Sequence, residues 1–321
     1  MARLGVLGTL VLDTIYRPGN GADQTKQSLT DWGGIAYSLC ALEAGAPEGW
    51  EILPIMKVGE DLREEADELL RELTRIRSLE GVITVPEKNN RVDLYYHSGP
   101  RRCEKLSGGV PGWSWRELAP LAESCDALIV NFIAGWELDL ESAQRLRAAH
   151  RGPIYADVHS LLLAVGPDGV RTLQPLPDWP DWSECFDFVQ MNDEELDALT
   201  AAGESPETTA REALERGPRT LFVTHGAAGA SWWTRDRTGE EDVAMGTEPS
   251  EPVPEAHSDP TGCGDVWGAA CATAILEGKT AAGAVRRANF LAGAAARHRG
   301  TTGLTEALRS AIRKIHAGDP A

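Results

Sequence analysis

Ser258-Asp259-Pro260-Thr261-Gly262-Cys263-Gly264-Asp265 runs directly into Val266-Trp267-Gly268-Ala269-Ala270-Cys271-Ala272. Two glycines flank a small residue, an aspartate follows, and a run of small residues suited to a helix begins. The first N–H groups of a helix have no acceptor within it and carry partial positive charge, so such a turn can hold an anion. Glycine lets the backbone come close to that anion and adopt positive φ. Asp265 falls in the first helical turn, beside the anion, where a carboxylate repels phosphate unless it has a proton to take. The spacing points to phosphoryl transfer, with Asp265 as base and the backbone of Gly262, Cys263 and Gly264 as the anion hole. The same residues also suit an ordinary helix start, with Thr261 as cap and Asp265 set against the helix dipole.

The longer string resembles the Asp-Thr-x-Gly-Ala-Gly-Asp signature of the ribokinase-like (PfkB) carbohydrate kinase family. Pro260 and Thr261 follow Asp259, and Cys263 replaces the usual alanine. Further pieces occur in the family's order from residue 8 to residue 293, so the resemblance covers nearly the whole chain. Asp13 closes Gly8-Thr9-Leu10-Val11-Leu12-Asp13, and the resemblance implies that it accepts hydrogen bonds from two neighbouring substrate hydroxyls. Trp32-Gly33-Gly34-Ile35-Ala36-Tyr37-Ser38 is similar to the family's double-glycine motif, with Ser38 where asparagine is usual. Gly33, Gly34 and Ser38 are thereby implied substrate contacts, and the serine puts the identity of the substrate in doubt. Val58-Gly59-Glu60-Asp61 resembles a further Val-Gly-x-Asp element.

Asn192 and Glu195 stand one helical turn apart on one face. That spacing makes a capping box, and it also resembles the family's Asn-x-x-Glu motif. The resemblance implies that Asn192 supports the phosphate region and that Glu195 organises Mg²⁺ through water, as suits a hard cation that keeps part of its hydration. Thr224-His225-Gly226-Ala227-Ala228-Gly229 matches the family's Thr-x-Gly-x-x-Gly turn. Thr224, Gly226 and Gly229 are thus implied to cradle the nucleotide phosphates, and Asn289 to lie beside the adenine. ATP and Mg²⁺ are the implied cofactors, and K⁺ near the 259–263 turn is common in the family. His225, His257 and His298 show no metal-ligand spacing.

These residues need a scaffold. Short apolar runs at Leu4–Leu10, Ile52–Val58, Ala127–Phe132, Ile154–Val158, Phe186–Met191 and Thr220–Thr224 alternate with helix patterns at Ile35–Glu43, Glu64–Arg75, Leu140–Ala149, Asp193–Ala201 and Pro206–Arg216. The alternation predicts an α/β fold, a mostly parallel central sheet with helices on both faces. Ala230–Thr234 reads as a strand and Thr238–His257 as loop or sheet edge, whereas Gly108–Trp115 and Gly166–Ser183 read as loops packed by their own aromatics. No repeat or linker divides the chain, so residues 1–321 are expected to form one ribokinase-like domain. Ligands of open α/β sheets bind beyond the carboxyl ends of the strands, which is where several motifs fall.

The resemblance also implies a small β-sheet lid over the substrate, often a dimer interface in the family. Segments 14–31 and 91–105 are the candidates, so a homodimer through the lid is among the expectations. On the second segment, Arg91, Tyr95 and Arg101 have the chemistry to meet a carboxylate or phosphate, although arginines on edge strands commonly face solvent. Asp157-Val158-His159-Ser160 departs from the family's frequent Asp-x-Asn-x-Arg. The expected activity is ATP-dependent phosphorylation of a hydroxyl on a small sugar or sugar acid. The alternatives are a nucleoside kinase, with Trp32, Tyr37 and Phe132 available to stack a base, and a ligand sensor without turnover.

Composition agrees with this. The 321 residues are 42% hydrophobic and 25% charged, with a formal net charge of −18. Such an acidic chain argues against nucleic-acid or anionic-membrane surfaces, and a nucleotide must be held by local features. No stretch approaches the roughly 20 apolar residues of a membrane span. The N-terminal residues read as a first strand rather than a signal peptide, and six cysteines without a Cys-x-x-Cys pair suggest reduced thiols in a cytoplasmic setting.

Overall fold

The alternating apolar runs form the strands of a nine-stranded sheet in a computed structural model that describes residues 1–17, 27–96, 102–235, 243–254 and 258–316. In chain order the strands are β1 (Ala2–Leu7), β2 (Leu10–Arg17), β3 (Gln27–Gly34), β4 (Trp50–Gly59), β5 (Val82–Val85), β6 (Arg91–Tyr96), β7 (Arg102–Ser107) and β8 (Ala127–Asn131). They continue with β9 (Ile154–Asp157), β10 (Leu163–Val165), β11 (Arg171–Leu173), β12 (Phe188–Asn192), β13 (Thr220–Thr224), β14 (Ala230–Arg235) and β15 (Val243–Glu248). The helices are α1 (Ile35–Gly45), α2 (Arg63–Arg71), α3 (Trp115–Glu123), α4 (Leu140–Ala149) and α5 (Trp179–Ser183). After them come α6 (Asp193–Leu199), α7 (Pro206–Arg216), α8 (Cys263–Leu276), α9 (Ala281–Ala295) and α10 (Leu304–His316).

The large sheet has the order β15-β14-β13-β12-β9-β8-β1-β4-β5. Pairing is parallel from β5 to β13 and antiparallel at β14 and β15. Its parallel strands are apolar along their length because both faces are covered. In β8, Ala127 and Ile129 join the core under α1, α8, α9 and α10, while Leu128 and Val130 join the core under α3, α4, α5 and α7. Successive side chains point to opposite faces, so one strand serves both cores. Among the described residues, no helix is long and apolar enough to cross a membrane, and the six cysteines are free thiols.

A second sheet, β3-β2-β6-β7, stands apart from the first. Val11, Ile15, Val92, Leu94 and Leu106 give it a small core of its own. Its strands overlap the segments 14–31 and 91–105 expected to form a lid, of which residues 18–26 and 97–101 lie outside the described residues; one boundary differs from expectation. The run predicted as a single strand, Leu4–Leu10, breaks after Leu7, and Leu10 already begins β2. Asp13 therefore belongs to the small sheet rather than to the end of a central strand. Both sheets bury this stretch, so an apolar run carries no mark of the change.

Two further elements differ from expectation. The helix predicted to Arg75 ends at Arg71, because buried Glu43 accepts from Thr74 Oγ1 (2.6 Å) and from the Arg75 N–H (2.8 Å) and draws that backbone away. Gly166–Ser183, read as loop, contains β11 and α5, and β11 pairs with β10 as a hairpin. Trp179 and Trp182 are buried there, as the aromatic packing predicts.

Candidate active site

A cleft opens between the small sheet and the carboxyl ends of β8, β9, β12 and β13, lined at those ends by Asn131, Asp157, Asn192 and Thr224. Asp265 reaches it from the first turn of α8 and Asp13 from β2. Gly262 caps α8 with φ +74°, and a Cβ there would lie 2.3 Å from the Tyr37 ring. Positive φ and ring packing both require glycine at this point. Gly264 lines the cleft in the first turn of α8, where N–H groups lack an intrahelical acceptor. Cys263 does not complete the hole as predicted: its N–H closes the turn onto Pro260 O (3.2 Å), and its thiol faces Asp259 O and Ala292 O.

Asp265 is held in place. Asn131 Nδ2 donates to its Oδ1 (2.7 Å), and Ser38 Oγ donates to its backbone carbonyl (3.3 Å). Ser38, expected to touch substrate, instead sits buried on α1 and also accepts from Asn131 Nδ2 (3.2 Å). Since Nδ2 must face a carboxylate, Asn131 Oδ1 is fixed as an acceptor; it is buried and has no hydrogen-bond partner among the described residues.

At one end of the cleft, Asn192 and Glu195 form the full capping box of α6. Glu195 Oε2 accepts from the Asn192 N–H (2.8 Å), and its Oε1 accepts from Asn192 Nδ2 (2.5 Å) and is bonded to His159 Nδ1. Burial disfavours the charged imidazole, but the Glu195 charge and hydrogen bond outweigh it and raise His159 to about 9. Burial raises Asp157 to about 8; Glu195 and Asp265 push the same way and His159 opposes them. Gln190 Nε2 bridges Asp157 Oδ2 (2.9 Å) and Gly264 O (3.1 Å), tying β12 to the head of α8. Thr224 ends β13, and Gly226 and Gly229 shape the turn after it with φ of +56° and +106°. Asn289 does not line this cleft: its Oδ1 accepts from Trp267 Nε1 (2.8 Å), and its Nδ2 donates to Glu248 O (2.8 Å) and Pro249 O (3.2 Å).

At the other end, Asp13 lies over Gly33, where a Cβ would come within 1.9 Å of its Oδ2. Gly34, at the start of α1, lines the cleft with Val11, Val92, Leu94 and Ile133. Arg91 does not enter: it pairs with Asp61 (2.7 Å) and donates to Asn89 O. Tyr95 stacks on Tyr16 with centroids 4.8 Å apart, and Arg101 and His257 lie outside the described residues. Among the described residues, the cation lining this wall is Arg171 of β11, side chain 4% exposed, which faces Glu104 (3.4 Å) and donates to Ile133 O (2.8 Å). Of the aromatics considered for stacking, Phe132 is buried edge-on to Trp182 behind the sheet, and Tyr37 is spent on Gly262.

Asn131, Gln190, His159, Glu104 and Arg171 were not singled out as site residues. Asn131 carries a signal, a polar residue ending an apolar strand, and Gln190 another, a polar residue inside one; Arg171 and Glu104 carry none, because their hairpins meet only in space. Among the described residues no three His, Cys, Asp or Glu are grouped to hold a metal directly. Glu195 suits a hydrated cation bound chiefly by a ligand's own phosphates. The turn at Asp259 does not fit K⁺, because its carboxylate is already paired with Arg17 at 2.7 Å.

Residues 160–308 match the model described as pfkB family carbohydrate kinase. A 120-residue segment is 37% identical to a ribokinase of Bacillus subtilis, covering 36% of each chain, so the match spans about a third of that relative's length. Solved structures are similar over nearly the whole chain. A Burkholderia thailandensis nucleoside kinase in complex with inosine has TM-score 0.71 at 19% identity, covering 99% of this chain and 98% of that one. Arabidopsis thaliana ribokinase with ribose and ATP has TM-score 0.67 at 18% identity, covering 96% and 99%. The fold is that of the ribokinases.

Proposed function

From the pfkB family match over residues 160–308 and the ribokinase fold of the chain, we propose that this protein is an ATP-dependent kinase. It phosphorylates a hydroxyl of a small, uncharged, hydroxyl-rich acceptor, a sugar or nucleoside. The observation that carries this reading is Asp265, set at the head of α8, hydrogen-bonded by Asn131 and opening on the same cleft as Asp13. Asp13 accepts from acceptor hydroxyls, and Asn131 Oδ1 offers another acceptor atom. Asp265 takes the proton of the reacting hydroxyl, whose oxygen attacks the γ-phosphoryl group in line. The N–H groups at the head of α8 stabilise the charge that builds there, and one such aimed donor is typically worth about 3–4 kcal/mol. His159⁺ and Asn192 face the donor phosphates, with the 224–229 turn beyond. Mg²⁺, held through water by Glu195, would neutralise phosphate charge.

Charge at the acceptor end supports a neutral substrate over a sugar acid. Among the described residues, Asp13 and Glu104 bring two carboxylates to the cleft and Arg171 a guanidinium, and Arg91 is engaged by Asp61. The test is ATP consumption with Mg²⁺ against pentoses, hexoses, sugar acids and nucleosides, with Asp265→Asn as control. Turnover with a neutral class, lost in the variant, is expected. Turnover confined to sugar acids would overturn the acceptor assignment, and ligand binding without turnover would point to a sensor.

A further inference from the structure

Two side chains of the small sheet reach the anion-hole turn. Arg17 of β2 places a guanidinium nitrogen 2.7 Å from Asp259 Oδ1. The Tyr96 hydroxyl of β6 lies 2.8 Å from Thr261 Oγ1, and the Arg17 guanidinium sits over the Tyr96 ring, 4.8 Å from its centroid. Asp259 is 3% exposed. A carboxylate so buried is costly without a counter-charge, and the cation that reaches it comes from the other sheet. Asp259 in turn shapes the turn: its Oδ1 accepts the Thr261 N–H (3.0 Å), and its own N–H donates to Ala296 O (2.8 Å). The geometry of Gly262 and the head of α8 follows from that anchoring.

We propose that Arg17 is a positioning residue for phosphoryl transfer. It neutralises Asp259 and, with Tyr96 on Thr261, braces the 259–263 turn so that the head of α8 stays aimed at the transferred group. The inference rests on the kinase reading above and adds a coupling to it. The sheet that carries Asp13, and so the acceptor, also completes the anion hole, and the two halves of the site form together.

Hydrogen–deuterium exchange reads the brace without turnover. In full-length Arg17→Met, the amides of residues 259–265 should exchange faster than in the wild type, with a smaller change in Tyr96→Phe and unaltered circular dichroism in both. Unchanged exchange in both variants overturns the brace. In turnover, Arg17→Met should lower kcat roughly 10- to 100-fold, as a small misplacement of the reacting groups does, with acceptor KM little changed. Arg17→Lys or added guanidinium should restore part of the rate, which a general loss of folding would not permit. Full kcat in Arg17→Met, or a defect in acceptor KM alone that guanidinium leaves unmoved, overturns the proposal. Absence of turnover in the wild type would overturn the kinase reading, and the exchange rates would still support or overturn the brace.

Discussion

Asp265 is held on two sides, by Asn131 at its carboxylate and Ser38 at its carbonyl, so replacing one oxygen by an amide leaves its surroundings intact. Asp265→Asn is expected to fold normally and to lose transfer by about 10²–10⁴-fold or more, the range of a positioned base. Single-turnover rates with matched melting curves check this. His159 and Asp157 make a different prediction. His159 titrates near 9 when folded against an ordinary 6.5, and Asp157 near 8 against 3.8. Both hold in the folded chain a proton that the unfolded chain has already released. The His159 contribution is therefore complete below about 6.5 and lost as pH rises through 9, while the cost of ionising Asp157 grows up to 8. The urea midpoint should fall between pH 6.5 and 9, and His159→Gln should flatten the upper part of that decline. Glu137 is a third case, buried and accepting from Thr9 Oγ1 and the N–H groups of Ile133, Ala134 and Gly135. Glu137→Gln turns an amide against those donors and should cost about 1–3 kcal/mol in chemical denaturation.

At the scale of elements, the turn into α8 depends on one backbone conformation. Gly262→Ala would combine positive φ with a methyl driven into the Tyr37 ring. A stability loss of about 1–3 kcal/mol is expected from the strain, with a larger fall in kcat than in acceptor affinity. Calorimetry and steady-state kinetics separate the two, and a variant with wild-type kcat would show that the turn tolerates other shapes. The same turn bears on cation dependence. Since Arg17 already neutralises Asp259, turnover should be unchanged when K⁺ is replaced by tetramethylammonium at equal ionic strength. A strict K⁺ requirement would mean that Arg17 leaves Asp259 during the reaction.

The whole molecule joins two sheets with separate cores, and the cleft lies between them. Ties between them among the described residues include the polar contacts of Arg17 to Asp259, Tyr96 to Thr261, Arg91 to Asp61 and Asp31 to the Thr301 N–H (2.8 Å), with Ile133 and Trp32 packed across the boundary. Acceptor bound between the sheets should stabilise the chain by mass action, about 2.7 kcal/mol at a hundredfold excess over Kd. A thermal-shift series with the acceptor found by turnover tests this; no shift at saturation would place the acceptor elsewhere.

The sequence by itself determined the α/β class, the central strands and the head of α8. Periodicity, helix-start chemistry and glycine requirements are local, and Leu140–Ala149, Pro206–Arg216 and Thr220–Thr224 were legible residue for residue. Order along the chain also carried Asp13, Asn192, Glu195 and Thr224 to one cleft. The tertiary structure decided what lies between elements distant in sequence. It moved Ser38 from substrate to Asp265, turned Arg91 onto Asp61, and brought Arg171 beside Glu104 and Arg17 beside Asp259. A long side chain can serve any partner its backbone brings within reach. Which partner that is depends on how the two sheets pack, and no local pattern encodes it.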